Sequence, residues 1–485
     1  MSFFWYDYET WGKSPYRDRI VQFGGLRTDD ELQPIGPNLN LLCRPTLDCA
    51  IGPGAVSVHG IMPMTAHKEG VSESEFATLI HDELSQPETC SVAYNGMKFD
   101  HEFTRVLFYR NLRDPYQWHW KNGNSFWDTL ELMRATFFLR PEALSKWPRK
   151  ENGNPSFQLG ALARAFLDDS ELANQHDALA DSLQMWQIAK LIRENVREIW
   201  DYGLSLRDKH AVTTILQGHD PVLHIIGRIP TKRGCSTLLS PLDYHEGNTT
   251  YGFDLFEDPS PLMKPYQEWS QNDKKLAYRA TFPINITKSP FVCQWSVVRE
   301  LVSSKISAQD LLNVMKLNET QIHQRHEMIQ QLDSRDFKNP LSEYLQKKKG
   351  QSDMFYADKT PDADEAIYDG FFSDQDMDLM TKALSQAPDF DWRSVQSDDS
   401  RLKQLIFRYI ARNFPESLDD KGRQRWYNYC RLRQLERRER RSVTSDQIFS
   451  FELRDRSEPW GNLDESQIKG LLKWQDRVRE VLMPT

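Results

Sequence analysis

A chain of 485 residues is too long for one ordinary hydrophobic core, so two or three domains are expected. Its formal net charge of −9 argues against a general polyanion binder, while 14 Trp and a 12% aromatic content supply both cores and rings able to stack on bases. No run of about 18 apolar residues is present, which argues against a helical membrane span.

Met1–Glu9 lacks the basic start and long apolar stretch of a secretory signal. Phe3 to Tyr6 opens a first strand, Ile20 to Thr28 reads as a second and Leu41 to Cys43 as a third. Ser91 to Tyr94 gives another strand, followed by helical patterns over Asp100–Tyr109, Asp128–Phe138, Gln158–Phe166 and Asp177–Leu191. Hairpin strands followed by alternating helices predict an α/β domain with a mixed sheet. From about 196 to 345, short apolar runs such as Val222–Ile226 and Tyr278–Phe282 suggest a small β-rich domain, with helix after Ala308. Residues 351–400 hold 13 acidic and 3 basic side chains, and their first part, Gln351–Glu365, reads as a solvated linker. Residues 401–441 hold 13 basic and 5 acidic side chains with interleaved aromatics; they read as helical and suit a groove for single-stranded nucleic acid, or else a solvated helix face with ion pairs. Cysteines 43, 49, 90, 235, 293 and 430 form no C-x-x-C pair and no zinc spacing, and read as reduced, mostly buried thiols of a cytosolic protein.

Three segments carry candidate chemistry. Asp7-Tyr8-Glu9 aims two carboxylates from one face of a strand, since residues i and i+2 point the same way. Like charges held that close are costly unless a cation neutralises them, and hard oxygen ligands suit Mg²⁺ or Mn²⁺. Taken alone, the pair reads more readily as two solvated side chains. Asp100, at the end of Asn95-Gly96-Met97-Lys98-Phe99-Asp100, reads alone as a helix N-cap. His176 is expected in or before the first turn of a helix that contains Asp181, with Ala178 and Ala180 small enough to let another element approach.

In this order the three segments resemble the DEDDh exonuclease superfamily, which includes the proofreading exonucleases of DNA polymerases. The resemblance implies Asp7, Glu9, Asp100 and Asp181 as metal ligands and His176 as general base. Two divalent ions about 3.5–4 Å apart can stabilise the attacking and leaving oxygens of an in-line displacement, and histidine suits proton removal near neutral pH. A narrower resemblance, to the bacterial exodeoxyribonuclease I family, rests on Asp7-Tyr8-Glu9-Thr10, Phe108-Tyr109-Arg110-Asn111, Asp114-Pro115-Tyr116, Leu139-Arg140-Pro141-Glu142, Tyr368–Asp374 and Phe407–Pro415. It implies a ribonuclease H-like exonuclease domain over 1–195, an SH3-like β-barrel domain over 196–350, and an acidic linker with a C-terminal α-helical domain over 351–485, together encircling single-stranded DNA. The implied activity is 3′-to-5′ hydrolysis of single-stranded DNA to 5′-mononucleotides with two Mg²⁺ ions, Mn²⁺ substituting. The implied setting is DNA repair and recombination by a monomer in the bacterial cytoplasm, acting at the nucleoid. A DEDDh exoribonuclease and a non-catalytic single-strand-binding tether are the alternatives. The C-terminal match disfavours the first and the intact acidic set the second.

The segment Gly54–Ile61 resembles the superfamily's cradle for the 3′-terminal nucleotide, making Ala55, Val58 and His59 substrate-binding candidates with Glu9 and Phe99; a plain strand-to-turn connection is the other reading. Asp128 opens a helical run and reads as a cap. Asp177 reads as solvated or as a support for the ligands, and His210, His219 and His224 as structural. The family resemblance also implies that the acidic, apolar C-terminal tail of the single-strand-binding protein docks on Arg140, Tyr202, Gln294 and Arg299. Asp220, where the family often places a basic residue, is expected to weaken that docking; ordinary interdomain contacts are the other reading of the four.

Overall fold

The computed structural model describes residues 1–144, 146–168, 176–218, 220–332, 339–356, 362–435 and 463–482. In chain order the elements begin with β1 (Ser2–Thr10), β2 (Ile20–Thr28), β3 (Leu39–Leu42), α1 (Pro53–His59), α2 (Pro63–Glu69), α3 (Glu73–Leu84), β4 (Thr89–Ala93) and α4 (Asp100–Arg110). There follow β5 (Ser125–Asp128), α5 (Leu130–Leu139), α6 (Leu159–Phe166), α7 (Ala178–Asn195), α8 (Arg197–Ser205) and α9 (Lys209–Leu216). The next stretch holds β6 (Val222–Ile225), β7 (Ser236–Glu246), β8 (Thr249–Asp254), α10 (Gln271–Ala280), β9 (Thr281–Asn285), β10 (Phe291–Gln294) and α11 (Val298–Leu301). Helices α12 (Ala308–Met315), α13 (Glu319–Leu332), α14 (Pro340–Tyr356), α15 (Asp374–Gln386), α16 (Leu402–Asn413), α17 (Asp420–Leu435) and α18 (Glu465–Leu482) complete the described chain.

Contacts group the chain into two units that cut across sequence order. The first joins Met1–Asn124, Ala173–Leu183 and Pro361–Thr485; the second joins Ser125–Leu172 and Gln184–Thr360. In the first unit the strands run in the order β3-β2-β1-β4, with β1 antiparallel to β2 and parallel to β4. Phe3 to Tyr6 of β1 and most of β2 are buried, as expected of central strands covered on both faces. The core of this unit mixes distant parts of the sequence: Trp11, Val21, Val56 and Tyr109 pack with Leu405, Ile406, Trp426 and Trp474.

Two expectations for the acidic and basic stretches need correction. Residues 351–356 continue helix α14, and Ala363 and Asp364 are buried, so Gln351–Glu365 is not a solvated linker where it is described; residues 357–361 lie outside the described residues. The acids are drawn in by the basic helices that follow them in sequence. Arg412 meets Asp364 at 2.7 Å and Asp48 at 2.9 Å, Arg408 meets Asp362 at 2.6 Å and Asp364 at 3.1 Å, and Arg433 meets Glu365 at 2.6 Å. Arg401, Arg408, Arg412 and Arg433 are therefore buried ion-pair partners, and Phe407, Tyr409 and Trp426 are core residues, so these seven do not line a groove, whereas Lys403, Lys421, Arg423, Arg425 and Arg431 of the same stretch are exposed. The run Glu436–Arg441 lies outside the described residues.

The second unit holds an antiparallel sheet in the order β10-β6-β7-β8-β9. Its core places Leu242 and Phe253 of the sheet against Leu276 and Ala277 of α10 and Ile329 of α13. Asp128 ends β5, one residue before Thr129 at the cap position of α5, so it is not the helix N-cap; its carboxylate still accepts the N–H of Leu130 at 3.1 Å. His224 is buried on β6 beside the Phe291 carbonyl, and burial pushes its imidazole down to about 4. His219 lies outside the described residues.

Candidate active site

The C-terminal end of β1 presents Asp7 and Glu9 from one face, both half-buried. Tyr8, on the opposite face, fixes this strand end to α4: its hydroxyl lies 3.0 Å from that of Thr104, which donates to the Asp100 carbonyl at 2.8 Å. Asp100 is the first residue inside α4, with Phe99 at the cap position, so it does not serve as the N-cap that it suggests in isolation. Gly96 explains how the Asp100 carboxylate can sit there. A Cβ on Gly96 would lie 2.5 Å from the Ala93 Cβ and 2.7 Å from an Asp100 carboxylate oxygen, both far inside contact distance.

His176 and Asp181 arrive from the start of α7. Ligand atoms of Glu9, His176 and Asp181 all lie within 4.8 Å of one another, a group able to hold a metal ion. His176 is exposed and takes a left-handed backbone, φ +60°, uncommon for a residue with a side chain and frequent where function fixes geometry. Electrostatics tie Asp7 and Asp100 to the same group. Burial, with Asp100, Asp181 and Glu9 close by, holds the Asp7 carboxyl well above the usual carboxylate range. Burial and the charges of Asp181 and Asp100 push Glu9 up to about 8, and burial pushes Asp181 up to about 6. Converging carboxylates in this state either keep protons or take up a cation, and an oxygen-rich donor set fits a hard divalent ion.

Two supporting residues are absent from the reading of the sequence. Gln22 of β2 stands opposite Glu9 in the strand register and is buried. Its amide donates to Asp177 at 2.8 Å and to Asn40 at 3.0 Å, and its carbonyl accepts the Ala178 N–H at 3.1 Å, so it clamps the first turn of α7. Asp177 caps this turn through the Ala180 N–H at 3.0 Å, which gives it the supporting role. Gly24 lets the helix reach the sheet: a Cβ there would lie 2.0 Å from the Leu179 nitrogen, and Ser182 donates to the Gly24 carbonyl at 3.0 Å. The available signal was a Gln followed by Phe-Gly-Gly inside an apolar strand, since glycine within a strand often marks close approach of another backbone.

Gly54–Ile61 forms the short helix α1 and its exit, not a strand-to-turn connection. Val58 is exposed, Ala55 and His59 are half-buried, and the His59 ring packs edge-on to Trp11 at 5.6 Å while its Nδ1 accepts the Ile61 N–H at 3.0 Å. Burial pushes the His59 imidazole down to about 4. Phe99 is half-buried against Phe103, ring centres 4.8 Å apart.

The four residues considered for a protein partner all belong to the second unit. Arg140 follows α5 and donates to the Leu301 carbonyl at 2.6 Å. Tyr202 on α8 donates to the Val292 carbonyl at 2.9 Å. Gln294 ends β10 beside Gly218, and Arg299 on α11 is exposed. Asp220 accepts from the Ser296 hydroxyl at 2.6 Å.

Comparison with known proteins gives the family. Family models described as Exonuclease, Exonuclease I SH3-like domain and Exonuclease I C-terminal domain match residues 4–189, 207–346 and 361–479. Exodeoxyribonuclease I of Escherichia coli (strain K12) is 33% identical over 450 residues, 89% of each chain. The solved exonuclease I of Methylocaldum szegediense superposes with a TM-score of 0.83 at 31% identity, covering 99% of both chains. The zinc-ion-bound form of the E. coli exonuclease I complex with single-stranded DNA gives 0.82 at 31% identity, covering 98% of this chain and 99% of that one. An SSB/exonuclease I structure in complex with the inhibitor CFAM gives 0.79 at 30% identity, with the same coverage. Sequence, fold and the convergence of acids at the end of β1 thus agree, and the chain belongs to the exodeoxyribonuclease I family of exonucleases.

Proposed function

We propose that this exonuclease removes nucleotides one at a time from the 3′ end of single-stranded DNA, releasing 5′-mononucleotides, with Mg²⁺ as its natural ion and Mn²⁺ able to substitute. The observation that carries the reading is the meeting of Glu9, His176 and Asp181 within 4.8 Å, beside Asp7 and Asp100. The single-stranded DNA in the zinc-bound E. coli relative supports the substrate class. Asp7, Glu9, Asp100 and Asp181 would hold two divalent ions, whose chemistry is to offset charge on the attacking and leaving oxygens. His176, exposed at the entrance to α7, accepts the proton of the attacking water, a task imidazole performs near neutral pH. Ala55, Val58, His59 and Phe99 press on the terminal sugar and base, and the Glu9 backbone and side chain bound the same space. Little covalent work remains for the protein, as is usual in phosphoryl transfer.

The wider setting belongs to the same reading: a monomer of the bacterial cytoplasm, working in DNA repair and recombination at the nucleoid. It receives the C-terminal tail of the single-strand-binding protein on Arg140, Tyr202, Gln294 and Arg299, supported by the SSB/exonuclease I relative. The exposed Arg299 head grips the terminal carboxylate, and Asp220, hydrogen-bonded to Ser296 three residues before Arg299, weakens the grip. One experiment tests the core of the reading: digestion of end-labelled DNA and RNA oligonucleotides with Mg²⁺, Mn²⁺ or EDTA. Stepwise loss from the 3′ end of single-stranded DNA, abolished by EDTA, is expected. Preferred digestion of RNA, or release of mononucleotides from a labelled 5′ end, overturns it.

A further inference from the structure

Two cations of the second unit face a cavity without an acid to answer them. The cavity, of about 530 Å³, opens between α10, α14 and the β8–β9 end of the sheet, and Arg228, Glu246, Tyr251, Tyr278, Tyr344 and Lys348 line it. That volume falls in the range of small-molecule sites. Arg228 is held in place: it donates to the carbonyls of Tyr278 at 3.5 Å and Arg279 at 3.4 Å, and it lies over the Phe282 ring, 4.3 Å from its centre. Lys348 lies over the Tyr278 ring, also at 4.3 Å. Among the described residues neither cation meets a carboxylate, whereas Arg279 and Lys347, one residue from Tyr278 and Lys348, meet Glu257 and Glu343, both at 2.8 Å. Glu246, the acid of the cavity, is turned to other partners and accepts from the hydroxyls of Tyr244 at 2.7 Å and Tyr251 at 3.2 Å. Tyr344 and Lys348 stand one turn apart on one face of α14, and Tyr278 is 59% exposed.

We propose that this cavity binds a free nucleoside 5′-monophosphate, an inference that rests on the release of 5′-mononucleotides proposed above. A phosphate monoester carries about 1.5–2 negative charges near neutral pH, which two unanswered cations match, whereas a phosphate inside a strand carries only a single charge. Tyrosine faces offer stacking that accepts every base, as a product site must when the digested sequence is mixed. The strand register separates the two ends of the cavity. Glu246 pairs with Thr249, and Phe282, beneath Arg228, pairs with Gly252. Those places on β8 lie three residues, about 10 Å, apart. The phosphate therefore sits by Arg228 and Lys348, and the base lies toward Tyr251 and Glu246, clear of like charge. The six lining residues belong to the second unit and the four carboxylates of the acid cluster to the first, so the released product has a place to bind that shares no residue with the site of cleavage and needs no metal.

The test titrates the full-length protein with thymidine 5′-monophosphate by calorimetry, in EDTA, where the acid cluster without cations repels a phosphate. One saturable site is expected. Arg228→Gln and Lys348→Gln should each weaken it about tenfold, as for loss of one charged hydrogen bond. Tyr278→Ala should weaken it by about as much, within the range for one stacked base, and Tyr278→Phe should keep the affinity. Lys348 is exposed, so its variant reads binding even where Arg228→Gln disturbs the fold. Thymidine and inorganic phosphate, each lacking half of the ligand, should both bind more weakly than the nucleotide. No saturable binding by wild type, or equal affinity in wild type, Arg228→Gln and Lys348→Gln, overturns the site. A loss of affinity in these variants that is larger for a 3′-phosphorylated oligothymidylate than for the mononucleotide also overturns it, and marks a strand contact. Failure of wild type to release any mononucleotide from single-stranded DNA with Mg²⁺ instead overturns the exonuclease reading, which the EDTA titration does not depend on.

Discussion

Asp7, Glu9, Asp100 and Asp181 repel one another, and the protein must answer that repulsion with protons or with cations. With carboxyls held near 8 at Glu9 and near 6 at Asp181, the folded chain without metal keeps protons that an unfolded chain releases around pH 4. Protonation of the cluster therefore supports folding fully below that range, and the support is lost as pH rises through about 6 and then about 8. In EDTA, Glu9→Gln should gain on wild type in thermal midpoint steadily from pH 5 to pH 8.5; a gap that stays constant or closes with pH refutes the assignment. The same groups set turnover. Asp7→Ala or Asp181→Ala should lose several orders of magnitude in rate with Mg²⁺ while still binding DNA in EDTA. His176→Ala should lose roughly 10²–10⁴-fold without weakening Mn²⁺ binding measured by calorimetry.

At the scale of elements, the site depends on how closely the first turn of α7 can approach β2. Gly24→Ala puts a methyl where the Leu179 nitrogen already lies, and overpacking of this kind costs about 1–3 kcal/mol. A shift of about 1 Å in Asp181 and His176 is enough for a 10²-fold loss, so kcat should fall by about that factor while DNA affinity in EDTA is kept. Gln22→Met, which fills the space without the three hydrogen bonds, should give the same separation of rate from binding; a loss of affinity alone contradicts the clamp. Much of this level was legible beforehand. The apolar run Phe3–Tyr6, the strand Ile20–Thr28 and the helix Leu159–Phe166 follow from local period and composition, within a residue or a few at their ends. Gln22 was not legible, because nothing local says which buried amide will face the helix that arrives 155 residues later. The acids at 362–365 were misread for the same reason: a charge run looks solvated until its partners, here Arg408, Arg412 and Arg433, are known.

For the molecule as a whole, the first unit is tied together by a buried ionic network. Arg19, Arg110 and Arg412 meet Asp48, Glu73 and Asp364 with almost no access to water. The arginines hold the carboxyls of Asp48, Asp364 and Glu73 below their usual range, despite burial. Their contribution to stability is therefore present above the ordinary carboxylate range and is lost only as pH falls below it. Removing one partner strands the others: Arg412→Met should cost about 3–5 kcal/mol, read as a lower urea midpoint. That cost should change little between low and high salt, because the network is screened poorly by ions in solution. A midpoint equal to wild type means that the pairs contribute nothing net.

That mixed core also sets a schedule for synthesis. Trp11 and Val21 are synthesised hundreds of residues before Leu405, Trp426 and Trp474, which share their core. The second unit is encoded almost entirely in between. At about 5–20 residues per second, the early strands wait roughly 20–90 s for the helices that cover them. During that interval their apolar faces are open to neighbouring chains, so yield of active enzyme should respond to chaperone supply and to growth temperature more sharply than the stability of the finished protein does.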